Sequence, residues 1–211
     1  MKDVISVVAD NEAGGRELVT TVVKTGIKNI FCLAEGTPHL ETMDLRIRGV
    51  DEALKAARKK FSDLTGEVKS NYRKEDDLER CIKTQCRQLL RQCLEATDNS
   101  TKRCGVIFLQ DTLCIAFLDV LKEYSETTGN NLFTLLGCFA LFSYDDTNPL
   151  IKYLGITSAQ NPAKAMGKEA TELVIKWIRN KRRPEPPGLQ PIKIAIRASS
   201  NPVVNQISSS S

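Results

Sequence analysis

Short, continuously apolar runs alternate along this chain with longer stretches whose apolar residues recur every three or four positions. The runs include "IKNIFCLA" (27–34), "CGVIFL" (104–109) and "LFTLLGCFALF" (132–142). A strand that is apolar at odd and even positions alike must be covered on both faces. The stretches between supply the covers. Leu18, Val19, Val22 and Val23 share one helical face, as do Leu113, Ala116, Phe117, Val120 and Leu121. This alternation predicts an α/β fold: a Rossmann-like parallel sheet flanked by helices on both faces. At 211 residues the chain is long enough to bury such a core.

Finer readings follow from local chemistry. "VISVVA" (4–9) reads as a first strand. Asn11 suits an N-cap, with Glu12 in the first turn, and Gly26 ends that helix. A weak strand is expected at 66–71, and a long helix at 75–96. The run 132–142 reads as one buried strand, and "GITSAQ" as a short extended piece. Asn161 then caps a helix with Pro162 in its first position. That helix carries Met166, Ala170, Leu173, Val174, Trp177 and Ile178 on one stripe, the cleanest amphipathic pattern in the chain. A last strand is expected at 192–197, before a serine-rich tail (201–211) expected to be disordered.

Composition excludes several function classes. A net charge of +4, with acid and base interleaved, leaves no basic stripe for nucleic acid. The opening "MKDVISVVADNEAGG" has no signal-peptide core, and the longest apolar run is too short to span a bilayer. A cytoplasmic protein with no membrane contact is expected. None of the seven cysteines forms a C-x-x-C pair, and His39 is the only histidine. The cysteines read as small hydrophobes in a reducing compartment. No metal, cofactor or catalytic residue is expected.

Ligands of open parallel sheets sit at the carboxyl ends of the strands. The polar residues there are those of segment 35–42, Tyr72, Gln110-Asp111, Tyr144-Asp145-Asp146 and Gln160-Asn161. On chemistry alone, an acid pair in a turn is turn chemistry first. An arginine on a helix is a solvated side chain first.

Five motifs, in order, change that weighting. They are "VVADNEAGGRELV", "TMDLRIRGVDEAL", "VIFLQDTLCIAFLDVLKE", "YDDTNPLIKYLGITSAQNPAKAMGKEATELVIKWI" and the final "IKIAIRASS". Together they resemble the lactose-repressor and ribose-binding-protein superfamily, of the type I periplasmic-binding-protein fold, over residues 4–200. The resemblance implies two lobes that clamp a small polar ligand, often a sugar or a nucleobase. It places crossovers at 9–10, 157–161 and 191–194. Residues 10–157 and 191–200 would form a C-terminal lobe, and helix 162–180 would belong to an N-terminal lobe. Most of that second lobe, and the helix-turn-helix headpiece of the repressors, have no counterpart here. The last helix must then find other cover.

The resemblance assigns ligand-facing roles to Thr42, Arg46, Tyr72, Gln110, Asp145 and Gln160. Arg46 offers a rigid fork of donors and Tyr72 a stacking ring. The two glutamines are amides that both donate and accept, and Asp145 accepts hydroxyl hydrogens. Asp111 would orient its loop, Asp146 would serve the turn, and Asn161-Pro162 would start the helix. The implied function is a non-catalytic sensing domain of a lactose-repressor-type regulator. It would bind a small polar ligand such as a carbohydrate, form a homodimer, and reach DNA only through the headpiece. The alternatives are a sugar-binding component of a transport system, or an oligomerisation fragment that binds nothing.

Overall fold

The computed structural model describes residues 4–35, 41–61, 64–71, 78–97 and 103–200. In chain order the elements are α1 (Asn11–Lys24), β1 (Asn29–Glu35), α2 (Glu41–Lys60), β2 (Thr65–Asn71), α3 (Leu78–Ala96) and β3 (Cys104–Phe108). Then come α4 (Asp111–Thr128), α5 (Leu132–Gly137), β4 (Phe139–Asp145), α6 (Pro149–Tyr153), β5 (Thr157–Gln160), α7 (Ala163–Asn180) and β6 (Lys193–Ala195). The strands form one sheet in the order β2-β1-β3-β4-β5-β6. The first five run parallel and β6 pairs antiparallel with β5. The expected α/β architecture is therefore present. The chain goes outward from β1 to β2 and back across to β3, so a crevice opens between the carboxyl ends of β1 and β3.

The apolar runs bury both of their faces. On β3, Cys104, Val106 and Phe108 pack under α3 and α4, while Ile107 faces α1 and α2. On β4, Phe139 and Leu141 take the first side, and Ala140, Phe142 and Tyr144 the second. Phe117 of α4 meets Phe108 and Phe139 at ring-centroid distances of 5.2 and 5.6 Å. Five of the seven cysteines are buried, as expected of small hydrophobes. Burial pushes the Cys86 thiol up to about 12, so it stays protonated.

Helices α1 and α2 cross at unusually close range. A Cβ on Gly49 would lie 2.0 Å from the Glu12 carbonyl oxygen, and one on Gly15 would lie 2.4 Å from that of Arg46. Only glycine permits this approach. It brings the first turn of α1 against Arg46.

Several local expectations are corrected. Asp10, not Asn11, caps α1: its carboxylate accepts from the Ala13 N–H at 3.0 Å. The helix starts a residue earlier than expected, and the Asp10 N–H is bonded to the Gln190 carbonyl. "VISVVA" is not a sheet strand; among the described residues only Ala9 makes a bridge, to Gln190. The run 132–142 is α5 followed by β4, because the Asn131 side chain accepts from the Phe133 and Thr134 N–H groups and starts a helix. A short apolar run does not separate these two outcomes by periodicity. Asn161 does not cap α7 with its side chain. Its backbone N–H is bonded to the Asp145 carbonyl at 3.0 Å, which extends the β4–β5 pairing.

The stripe on α7 is not buried. No residue of this helix is in the core, and Val174 and Ile178 are 54% and 72% exposed. Ile5 and Val7 line a shallow groove against Met166, Leu173 and Trp177. The serine-rich tail and the start of the expected helix 75–96 lie outside the described residues.

Candidate functional site

The sequence places Arg46 six residues into α2, and the close α1–α2 crossing turns it into the sheet's carboxyl-end crevice. Three of its five N–H donors are committed, one on each nitrogen. Nε donates to Asn11 Oδ1 (2.9 Å), Nη1 to the Leu109 carbonyl just beyond β3 (2.7 Å), and Nη2 to Asp145 Oδ1 (2.7 Å). The plane sits 3.9 Å over the Tyr144 ring centroid. The side chain is only 9% exposed. A buried guanidinium persists only when its donors are matched in this way. Arg46 therefore joins α1, β3 and β4 at the point where the strand order reverses.

Tyr144 completes the floor. Its hydroxyl reaches the Asn11 carbonyl (3.2 Å) and Oδ1 (3.3 Å). That reach needs Gly14, where a Cβ would lie 2.2 Å from the hydroxyl oxygen. Burial pushes the Tyr144 phenol up, so the ring stays neutral under Arg46.

Asp145 is 22% exposed at the end of β4. One carboxylate oxygen is held by Arg46; among the described residues the other accepts no hydrogen bond. Its φ of 93° and that of Asp146 (55°) put two successive non-glycine residues in the left-handed region. Aspartate tolerates that region better than most residues.

Asp146 is more than a turn residue. Its side chain is 2% exposed. Arg197 Nη2 donates to its Oδ2 (2.9 Å), and Nη1 lies 2.8 Å from Oδ1. Gln160 Nε2 also donates to Oδ2 (2.8 Å). Burial would raise this carboxyl, but the bonds from Arg197 and Gln160 outweigh it and hold it below its ordinary 3.8. The unfolded chain then binds a proton at a higher pH than the folded one does. Stability from this group is complete above about pH 5 and is lost as pH falls through the depressed folded value. Asp146→Asn should cost about 3 kcal/mol at pH 7, where an ion pair is broken. Urea titrations at pH 7 and below pH 4 should show that gap narrowing in acid.

Asp111 orients the neighbouring loop, as expected. Its carboxylate accepts from the Ser143 hydroxyl (2.7 Å), the Thr147 N–H (2.8 Å) and the Asn148 N–H (2.9 Å). Gln110 precedes α4 half-buried, with Oε1 accepting from the Thr112 hydroxyl at 3.4 Å. Thr42 is exposed on the first turn of α2, one turn before Arg46. Tyr72 lies outside the described residues. Of the expected residues, the structure brings Arg46 and Asp145 into contact and ties Gln160 to the next residue, Asp146. Among the described residues no side-chain hydrogen bond joins Thr42 or Gln110 to Arg46 or Asp145. Tyr144 and Asp146 were marked at a strand end without a ligand-facing role, and Asn11 and Arg197 were not expected as site members. The "DNEAGG" segment marks Asn11 only after the glycines are seen to let Tyr144 and α2 approach.

Among the described residues no group of three histidine, cysteine, aspartate or glutamate side chains could hold a metal. No helix there is long and apolar enough to cross a membrane.

A model of the periplasmic binding protein-like domain matches residues 19–200. No curated protein matches the chain. Solved structures with the same fold include a regulatory protein of the LacI family from Chloroflexus aggregans (21% identity, TM-score 0.69). The match covers 93% of this chain and 64% of that one. A periplasmic binding protein/LacI transcriptional regulator from Alkaliphilus metalliredigens, complexed with D-xylulofuranose, matches at 16% identity and TM-score 0.67, over 93% and 66%. A LacI family regulator from Enterococcus faecium with bound ribose matches at 18% and 0.65, over 94% and 66%. The chain thus spans just under two thirds of the length of these structures. From the extent of the domain match, the chain belongs to the periplasmic binding protein-like domain family.

Proposed function

We propose that this chain is the effector-sensing part of a lactose-repressor-type transcriptional regulator. It is a non-catalytic domain that holds a small polar ligand, a sugar or similar polyol, at the carboxyl ends of β1, β3 and β4. The observation that carries this reading is Asp145. One oxygen is fixed by a buried arginine, the other accepts no hydrogen bond among the described residues, and the side chain is 22% exposed at the end of β4. Such a carboxylate accepts hydroxyl hydrogens without having to be ordered first. Gln110, Gln160 and Thr42 supply further polar groups at the same end of the sheet. Arg46 acts mainly by aiming Asp145, since three of its donors already have partners. Residues 10–157 and 191–200 form one lobe in this reading. Helix α7 belongs to a second lobe, which accords with its exposed stripe and with the shorter span of this chain. The sugars bound in the two relatives support the ligand class.

Calorimetric titration of the full chain with D-ribose and D-xylulose tests the reading. Saturable heat is expected, weakened about tenfold or more in Asp145→Asn, since a hydrogen bond to a charged group is worth about 1.5–3 kcal/mol. No saturable heat from either sugar, or equal affinity in a folded Asp145→Asn variant, would count against it.

A further inference from the structure

Two residues in succession hold positive φ at the end of β4, and what pins them lies far along the chain. We propose that Arg197 is a positioning residue for Asp145, acting through Asp146 and so linking the aim of Asp145 to the β6 crossover. The inference rests on the ligand-facing reading of Asp145, but its test needs no ligand.

The geometry is a relay of fixed contacts. Arg197 follows β6 and is itself locked. Its N–H donates to Thr157 Oγ1 (2.8 Å), and Nη1 donates to the Ile156 carbonyl (2.7 Å). From that anchor the guanidinium faces both oxygens of Asp146. Gln160, the last residue of β5, closes on the same carboxylate. Asp146 is thus held from β5 and β6 together, while Asp145, its chain neighbour, is held from α2 by Arg46. The left-handed turn leaves its two carboxylates in the grip of different elements. Among the described residues no hydrogen bond or ion pair joins Arg197 to Arg46 or to Asp145. Influence of Arg197 on the Arg46–Asp145 pair runs through the backbone of the turn, or through Gln160 and the β4–β5 pairing that holds the Asp145 carbonyl. Because β5 and β6 flank the chain's passage into and out of α7, a shift of either strand against β4 would alter that aim.

A lysine would supply charge without the planar fork, so Arg197→Lys is not a neutral change at this site. The experiment is a double-mutant cycle in the full chain, read by thermal unfolding, with Arg197→Gln and Asp145→Asn singly and together. Asn keeps the shape and turn tolerance of Asp145 while weakening its pair with Arg46. If Arg197 aims Asp145, its removal lowers Tm clearly in the wild-type background and less than half as much beside Asp145→Asn. Equal losses in both backgrounds would show that Arg197 only braces Asp146 and would overturn the proposal. Should Arg197→Gln fail to fold, Arg197→Lys goes through the same cycle with the same two outcomes.

Discussion

Arg46→Met lowers the unfolding free energy by about 3–5 kcal/mol, the usual cost of removing one partner of a buried ion pair. For a chain of this size that is a fall in Tm of roughly 6–20 °C. Methionine fills much of the same volume, so the loss is not a cavity effect. It comes from the acceptors left behind: the Leu109 carbonyl and Asp145 Oδ1 lose their donor, and Asn11 Oδ1 keeps only the longer contact with the Tyr144 hydroxyl. These acceptors sit on α1, β3 and β4, so the damage reaches both sides of the crevice. The stacked contact with Tyr144 goes as well. Urea unfolding of wild type and variant measures it. A change under about 1 kcal/mol, as expected of a solvated surface arginine, would show that the guanidinium is not the joint described.

Gly49→Ala is the second large effect, although it adds only one methyl group. That methyl would overlap the Glu12 backbone, which has no flexible end to swing aside. The helices must separate, at a cost of about 1–3 kcal/mol or more. Separation also draws Asn11 away from Arg46, so the loss should be smaller in an Arg46→Met background. Gly167→Ala on α7 is the internal control. Nothing lies within 4 Å of its added methyl group, so it should stabilise by about 0.4–1 kcal/mol through the unfolded state. Denaturation of both variants under the same conditions separates backbone overlap from glycine entropy. A Gly49→Ala chain as stable as wild type would refute the close crossing.

The layered α/β architecture was legible from periodicity because burial of both strand faces needs unbroken apolar runs. β3 and β4 satisfy that need with Val106, Ile107, Phe108, Leu141 and Phe142. Residues 132–142 defeated the same reasoning, since an apolar run does not encode the choice between helix and strand. There the Asn131 cap chose for the first half and pairing with β3 for the second. The α7 stripe was read as amphipathic and in need of cover, and it stands largely exposed. Amphipathicity states what a helix needs, whereas burial depends on what stands beside it.

The site divides along the same line. Strand-end positions were enough to single out Asp145 and Gln160, because a parallel sheet sends its polar strand ends to one edge; Arg46, on a helix, was singled out only by the resemblance. The resemblance gave them roles. Their partners are another matter: Arg46 meets Leu109 across 63 positions and Asp145 across 99, and Arg197 meets Asp146 across 51. Distances of that kind are set by how two helices cross over glycine and how a strand turns at positive φ. Local sequence carries the pattern of burial. Which charge meets which is decided only when the packed layers leave each one a single matched neighbour.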